Sequence, residues 1–256
     1  MSGGAATGLL VAAGFVGGLV NGAAGGGTLV SFPALLAVGV PALTANMTST
    51  VGIWPGYLGG AAGFRRQVRA QTRRVAELSA PAVAGGVAGS VLLFVTPAHE
   101  FSTIVPYLVL AACALFALQP LVARAVRARS GGGELAPGPL RRVAAHAGTL
   151  AASVYGGYFG AGLGVVFLAI LGSALPDELA RTNGLRAVLS LVVNSVAVLV
   201  FVVHAQIEWS DAGLLALTSL VGGYIGARFA LRLPPVAFRA LVLALGLATA
   251  IRLLVG

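Results

Sequence analysis

The stretch NGAAGGGTLVSFP, Asn21 to Pro33, places three consecutive glycines in a run without a charged residue. A second stretch, YGGYFGAGLGVVF, Tyr155 to Phe167, has the same character. Each lies where an apolar chain would otherwise continue a helix, and glycine in a helix interior costs about 1 kcal/mol relative to alanine. In lipid the penalty is greater, because unpaired backbone groups have no water to turn to. Irregular backbone survives there only when buried in protein or lining a cavity. A break of this kind, present twice, sets how the rest of the chain is read.

Composition supplies the lipid. Of 256 residues, 58% are hydrophobic and 9% charged, against roughly 25% charged in a soluble domain. Such a chain cannot cover itself with a polar surface. Apolar runs recur to the C-terminus, so a secretory signal alone does not account for them. The formal charge is +9 and every basic residue is arginine. No nucleic-acid motif accompanies that charge, and the arginines lie mostly between apolar runs, so they read as topology determinants rather than a nucleic-acid surface. Cys113, the single cysteine, lies in an apolar run. It has no partner for a disulfide, metal or redox site; it reads as packing, and no metal or other cofactor is expected.

A spanning helix needs about 20 apolar residues, and shorter runs suggest re-entrant or broken segments. On this basis the chain divides into ten segments, at about 5–23, 27–40, 43–64, 76–96, 102–123, 143–160, 163–175, 182–205, 212–231 and 236–255. The second and seventh are short, and each follows a glycine stretch. The loops RRQVRAQTRR (Arg65 to Arg74) and RAVRARSGGGELAPGPLRR (Arg124 to Arg142) are basic and separated by two spans. Both therefore belong on the cytoplasmic side. The turn TPAHEF (Thr96 to Phe101) between those spans has no arginine and fits the outside.

In the second half the loop matching Arg65–Arg74 is HAQIEWSDA, His204 to Ala212, which is acidic, while the next turn, RLPPVAFR (Arg232 to Arg239), is basic. Matching loops of opposite charge are the mark of halves inserted in opposite orientations. A constant offset of 135 (160 minus 25) pairs Gly25 with Gly160, Gly27 with Gly162, Phe32 with Phe167 and Leu36 with Leu171; Thr48-Ser49 and Thr182-Asn183 fall one residue out of that register. Five segments per half, an odd number, inverts the second copy and puts both termini outside. The expected architecture is an all-α polytopic membrane protein of two inverted five-segment repeats, with short or broken helices after glycine-rich breaks. Residues 1–123 form the first repeat, 124–142 a cytoplasmic linker and 143–256 the second repeat.

Two explanations of the breaks stand side by side. Small residues let membrane helices pack closely, and Gly18–Gly22, Gly22–Gly26 and Gly160–Gly164 have GxxxG spacing. Alternatively, a helix that restarts after a break aims free N–H groups and a positive dipole end at what lies ahead. Two such restarts from inverted halves would converge near the membrane midplane as an anion site without formal charge, and paired broken segments are the best sequence pointer to a transporter site.

The run Asn21-Gly22-Ala23-Ala24-Gly25-Gly26-Gly27-Thr28, then Pro33 and Thr48-Ser49, resembles the first-half motif of the sulfite exporter TauE/SafE family. Gly156-Gly157-Tyr158-Phe159-Gly160-Ala161-Gly162-Leu163-Gly164, then Thr182-Asn183, is similar to its second-half motif, and GGYIGARFALRLP (Gly222 to Pro234) to its penultimate helix and basic turn. The resemblance covers nearly the whole chain. It implies a permease of sulfite, an organosulfonate or another sulfur-containing anion. Two departures bear on symmetry: Leu168 stands where a proline would match Pro33, and Leu163 interrupts the second glycine cluster.

The candidate substrate-binding residues are Asn21, Gly25, Gly26, Gly27, Thr28, Thr48, Ser49, Gly160, Gly162, Gly164, Thr182, Asn183 and Arg186. Arg186 lies inside the eighth segment, where an arginine must be paired, hydrated or near an interface. Its planar fork suits sulfite, sulfonate or carboxylate oxygens; an interfacial arginine is the alternative. The Thr and Asn pairs can cap helices or donate to a ligand. Asn194 reads as an interhelical hydrogen-bonding residue, Tyr155 and Tyr158 as packing, and Trp54 with Pro55 as a kink. The acids Glu77, Glu100, Glu134, Asp177, Glu178, Glu208 and Asp211 read as loop or helix-end residues, which disfavours a carboxylate proton relay. The function expected is an exporter or uniporter of a small anion in the cell (inner) membrane, surrounded by lipid, without nucleic acid; a homo-oligomer stays open. An anion channel of the same architecture or a non-transporting scaffold are the alternatives. No nucleophile elbow or paired histidine supports an enzyme.

Overall fold

A computed structural model of the chain describes residues 3–129, 138–175, 177–229 and 235–255. Eleven α-helices and no strand are present among them. They are α1 (Gly3–Ala24), α2 (Thr28–Ala37), α3 (Ala42–Gly63), α4 (Arg65–Arg69), α5 (Thr72–Val95), α6 (Ala98–Arg129), α7 (Pro139–Tyr158), α8 (Leu163–Ala174), α9 (Leu179–His204), α10 (Trp209–Phe229) and α11 (Pro235–Val255). Each of the ten apolar segments falls on a helix. Glu134, much of the 124–142 linker and Arg232–Pro234 of the basic turn lie outside the described residues. Among the described residues, four helices are long and apolar enough to cross a membrane: Gly3–Ala24, Thr72–Val95, Ala98–Ala128 and Leu179–His204.

Several helices outrun their apolar segments. α5 starts at Thr72, α6 continues to Arg129 and α7 starts at Pro139. Apolarity marks the part of a helix that lipid or protein surrounds, whereas the i→i−4 ladder continues into water wherever no breaker stops it. For the same reason the basic loop contains the short helix α4. α3 runs unbroken through Pro55, and Trp54 Nε1 donates to Ser195 Oγ on α9 at 2.8 Å.

α2 turns back along α1, with Leu9, Ala12 and Val16 facing Val30, Pro33, Ala34 and Ala37 around one groove. α8 turns back along α7 in the same way: a Cβ on Gly148 would meet Ile170, and one on Gly156 would meet Leu163. α10 packs on α1 and α3, α5 on α7 and α9, α6 on α11 and α8, α2 on α11, and α3 on α9. One end of the bundle joins the α4–α5 turn to the start of α9, through Gln71 Nε2 donating to the Arg181 carbonyl at 2.7 Å and Arg74 paired with Asp177 at 2.5 Å. At another place, Thr48 Oγ1 on α3 accepts from the Glu208 N–H at 3.2 Å, and Phe94 on α5 stacks near His204 on α9.

Glycines line the tightest seams. A Cβ on Gly18 would lie 2.7 Å from Ser219 Cα, one on Gly22 2.8 Å from Ala227 N, and one on Gly223 2.8 Å from Gly56 Cα. These backbones approach as only small residues allow. Packing thus accounts for Gly18 and Gly22, but Gly26 lies off that seam, under the Phe116 ring.

Candidate anion site at the junction of two helix breaks

α1 and α7 end alike. The Gly25 N–H bonds back to the Asn21 and Val20 carbonyls with Gly25 at φ +78°; the Gly160 N–H bonds to the Tyr155 carbonyl with Gly160 at φ +73°. Both are left-handed C-terminal glycines, the ordinary way to stop a helix. The restarts differ: Gly162, ahead of α8, is also left-handed at φ +74°, whereas Gly27, ahead of α2, is at φ −60°.

The two breaks touch. The Gly164 N–H donates to the Gly25 carbonyl at 3.2 Å. A Cβ on Gly164 would lie 2.5 Å from Gly25 Cα, so neither position has room for a side chain. Phe32 on α2 packs edge-on against Phe159 of the second break, with centroids 5.7 Å apart. Residues 139 positions apart in sequence (164 minus 25) thereby form one junction.

Arg186 of α9 enters this junction. Its Nη2 donates to the Ala23 carbonyl at 3.2 Å and the Gly22 carbonyl at 3.4 Å, and only 2% of the residue is exposed. A cation against the last carbonyls of α1 is favoured by the helix dipole and satisfies acceptors the helix leaves unpaired. The second break has a neutral counterpart. Asn46 Nδ2 on α3 donates to the Tyr158 carbonyl at 3.0 Å, at the end of α7. Ala23 and Tyr158 are themselves 135 apart (158 minus 23). The Tyr155 hydroxyl donates to the Ala161 carbonyl and holds the second break's loop.

On the donor side, the N–H groups of Gly26, Gly27, Thr28, Ala161 and Gly162 make no backbone hydrogen bond among the described residues. All five residues are buried. Unpaired N–H groups at helix starts, next to a buried guanidinium, make the junction locally positive, which suits an anion's oxygens.

The candidate residues separate into groups. Asn21, Gly25, Gly26, Gly27, Thr28, Gly160, Gly162, Gly164 and Arg186 gather at the junction. Ser49 bonds Ser31 of α2, Oγ to Oγ at 2.6 Å. Thr48 turns to the α9–α10 loop. Thr182 and Asn183 bond the Glu178 and Leu179 carbonyls of their own first turn, at 3.2 and 2.9 Å, at the arginine-rich end of α9. Asn46 and Tyr57, whose hydroxyl faces Asn21, Asn194 and Arg186, belong to the junction without having been singled out. Asn46 precedes the Thr48-Ser49 pair by two residues, and its polarity inside an apolar segment was the available signal.

The family model of the TauE/SafE sulfite exporters matches residues 10–253. The chain belongs to this family. Among curated relatives, a protein of Sinorhizobium sp named "Probable membrane transporter protein ORF9" is 25% identical over 249 residues, covering 96% of this chain and 91% of its own length. "Probable membrane transporter protein" of Haemophilus influenzae is 25% identical over 86% of this chain and 83% of its own. "Probable membrane transporter protein YfcA" of Escherichia coli K12 is 25% identical over 88% and 80%. No solved structure matches the chain significantly. As a member of the TauE/SafE family the protein is a membrane transporter, and its apolar helices agree with a multi-pass membrane protein.

Proposed function

We propose that this TauE/SafE member carries a small sulfur-containing anion, such as sulfite or an organosulfonate, across the cell membrane as an exporter or uniporter. The observation that carries the proposal is the junction itself: two helix restarts with unpaired N–H groups, in contact through Gly164 and Gly25, with Arg186 between them. The family's description supports sulfur in the anion; the geometry supports a small anion.

The architecture we infer is two inverted repeats, 1–123 and 143–256, joined by a cytoplasmic linker at 124–142. Helix packing supports it. Exchanging α1, α2, α3, α5 and α6 for α7, α8, α9, α10 and α11 turns α1 on α10 into α7 on α5, α3 on α10 into α9 on α5, and α2 on α11 into α8 on α6, all of which are present. The arginine-rich end faces the cytoplasm by the positive-inside rule. A small anion leaves a negative interior down the membrane potential without a coupling ion. Arg186 and the helix starts replace its hydration shell, and withdrawal of either break from the junction releases it.

The test is flux of sulfite into proteoliposomes under an imposed potential. Wild-type protein shows saturable uptake; Arg186→Ala, still extracted as a monodisperse species, lowers it at least about tenfold, equivalent to about 1.4 kcal/mol. Equal flux by both proteins would remove Arg186 from the site. A bulky residue at Gly26 or Gly162 blocks flux.

A further inference from the structure

Behind the two breaks lies a polar cluster that helix capping does not require. Asn21 comes from α1, Tyr57 from α3, and Arg186, Ser190 and Asn194 from successive turns of α9. None is more than 5% exposed. The Tyr57 hydroxyl faces Asn21, Asn194 and Arg186, and the buried Ser190 lies on the same face of α9, four residues from Arg186 and four from Asn194. Four atoms there have no hydrogen-bond partner among the described residues: Asn21 Nδ2, Asn21 Oδ1, Arg186 Nε and Ser190 Oγ. Buried polar groups are nearly always paired, and a group of unpaired ones marks a place for something that pairs them.

Two properties of the cluster narrow the occupant. The first is charge. Arg186 carries one positive charge. Among the described residues, Tyr57 of α3 is the titratable group that faces it; α1, α4, α5, α6, α7 and α8 present it with none. One buried cation is balanced by one negative charge, whereas a dianion leaves a charge uncompensated in a medium that solvates it poorly. The second is hydrogen bonding. The unpaired set holds donors, at Arg186 Nε and Asn21 Nδ2, an acceptor, at Asn21 Oδ1, and a hydroxyl, Ser190 Oγ, that serves as either. Such a set matches a ligand with several oxygens, one of which can carry a proton. It matches a spherical halide poorly, because a monatomic ion offers no separate oxygens to reach donors on both α1 and α9 at once.

We propose that this polar cluster binds one singly charged oxyanion through Arg186 Nε, Asn21 and Ser190, and that it discriminates against the doubly charged state of the same molecule. The proposal rests on the anion-transporter reading and deepens it: of the sulfur oxyanions, the protonated monoanion is the form carried. Ser190 and Tyr57 thereby become specificity-determining residues.

The test is the thermal stability of the purified full chain in detergent against methanesulfonate, sulfate, chloride and sulfite, since a ligand bound only by the folded state raises stability by mass action. Methanesulfonate, a permanent monoanion, is expected to stabilise the protein independently of pH. Sulfate and chloride are expected to have little effect. The shift with sulfite is expected to grow as the pH falls through the second ionisation of sulfurous acid. Ser190→Ala and Tyr57→Phe, both conservative enough to fold, should weaken methanesulfonate binding by about tenfold each. Stabilisation by sulfate equal to that by methanesulfonate, a sulfite effect that grows with rising pH, or full affinity in both variants would overturn the proposal while leaving an anion transporter in place. No stabilisation by any of the four anions would overturn both.

Discussion

At the scale of single residues, the junction is set by what is missing. Gly25 and Gly164 meet where no Cβ fits, and Gly25 is left-handed besides. A Cβ on Gly25 would lie 2.8 Å from both Arg186 Nη1 and Gly164 N. Gly25→Ala is expected to destabilise the protein by about 1–2 kcal/mol from the left-handed backbone and further from the displaced Arg186. Gly213→Ala, where nothing lies within 4 Å, is the matched control and should be neutral or stabilising by up to about 1 kcal/mol. Thermal unfolding in detergent checks both. Arg186 illustrates how far a sequence goes at this scale. That a charge lies within an apolar segment is visible in LARTNGLRAVLSLVVNS; that its fork reaches the last carbonyls of α1 is not, since Gly22 and Ala23 lie more than half the chain away. Thr182 and Asn183 make the complementary case. Their hydroxyl and amide are equally visible, but a short polar side chain in a helix readily bonds the carbonyl four residues back, and both do.

At the scale of helices, two kinds of glycine do different work. The seams of α10 with α1 and α3, and of α5 with α7, consist of glycines with ordinary helical dihedrals that let backbones touch. A Cβ on Gly157 would lie 2.5 Å from the Gly86 carbonyl, and one on Gly85 2.5 Å from the Leu150 carbonyl. Gly223→Val should overpack the α3–α10 seam and destabilise by about 1–3 kcal/mol, seen as lost monodispersity and a lower unfolding temperature, whereas Gly8→Ala, in open space on α1, should not. The breaks use glycine for its dihedral freedom instead. GxxxG spacing alone does not separate these roles: Gly18–Gly22 is a seam, while Gly160–Gly164 spans a break and ends in the contact with Gly25. Apolarity located the helices within a few residues, because it is a local property of the chain, but it missed α4 and the polar extensions of α5 and α7, which backbone hydrogen bonding sustains outside the apolar region.

At the scale of the whole molecule, charge and packing both support the proposed topology. The arginines of the Arg65–Arg74 loop and of the α7 start occupy the end of the bundle where Asp177 pairs with Arg74 and Arg181, at 2.5 and 3.7 Å. The acidic α9–α10 loop joins the start of α3 instead. With the buried Cys113 replaced by alanine, Arg69→Cys and Glu208→Cys should label from opposite sides of intact cells with a membrane-impermeant thiol reagent: Glu208→Cys from outside, Arg69→Cys only after permeabilisation. Labelling of both from outside would refute the proposed orientation.

Composition, the length of apolar runs, glycine breaks and loop charge are properties of neighbours in the chain, so they were enough to establish a helical membrane protein, ten apolar segments, two places where helices stop and the sign of each loop. Contacts between distant residues are fixed by how the helices pack. That Gly164 bonds Gly25, that Arg186 and Asn46 cap helices of the opposite half, and that Asn21, Asn194 and Arg186 surround Tyr57 are consequences of backbones brought within a few ångströms by glycine seams. No local pattern encodes that approach, because a glycine reads the same in sequence whether it packs, turns or leaves room for a ligand.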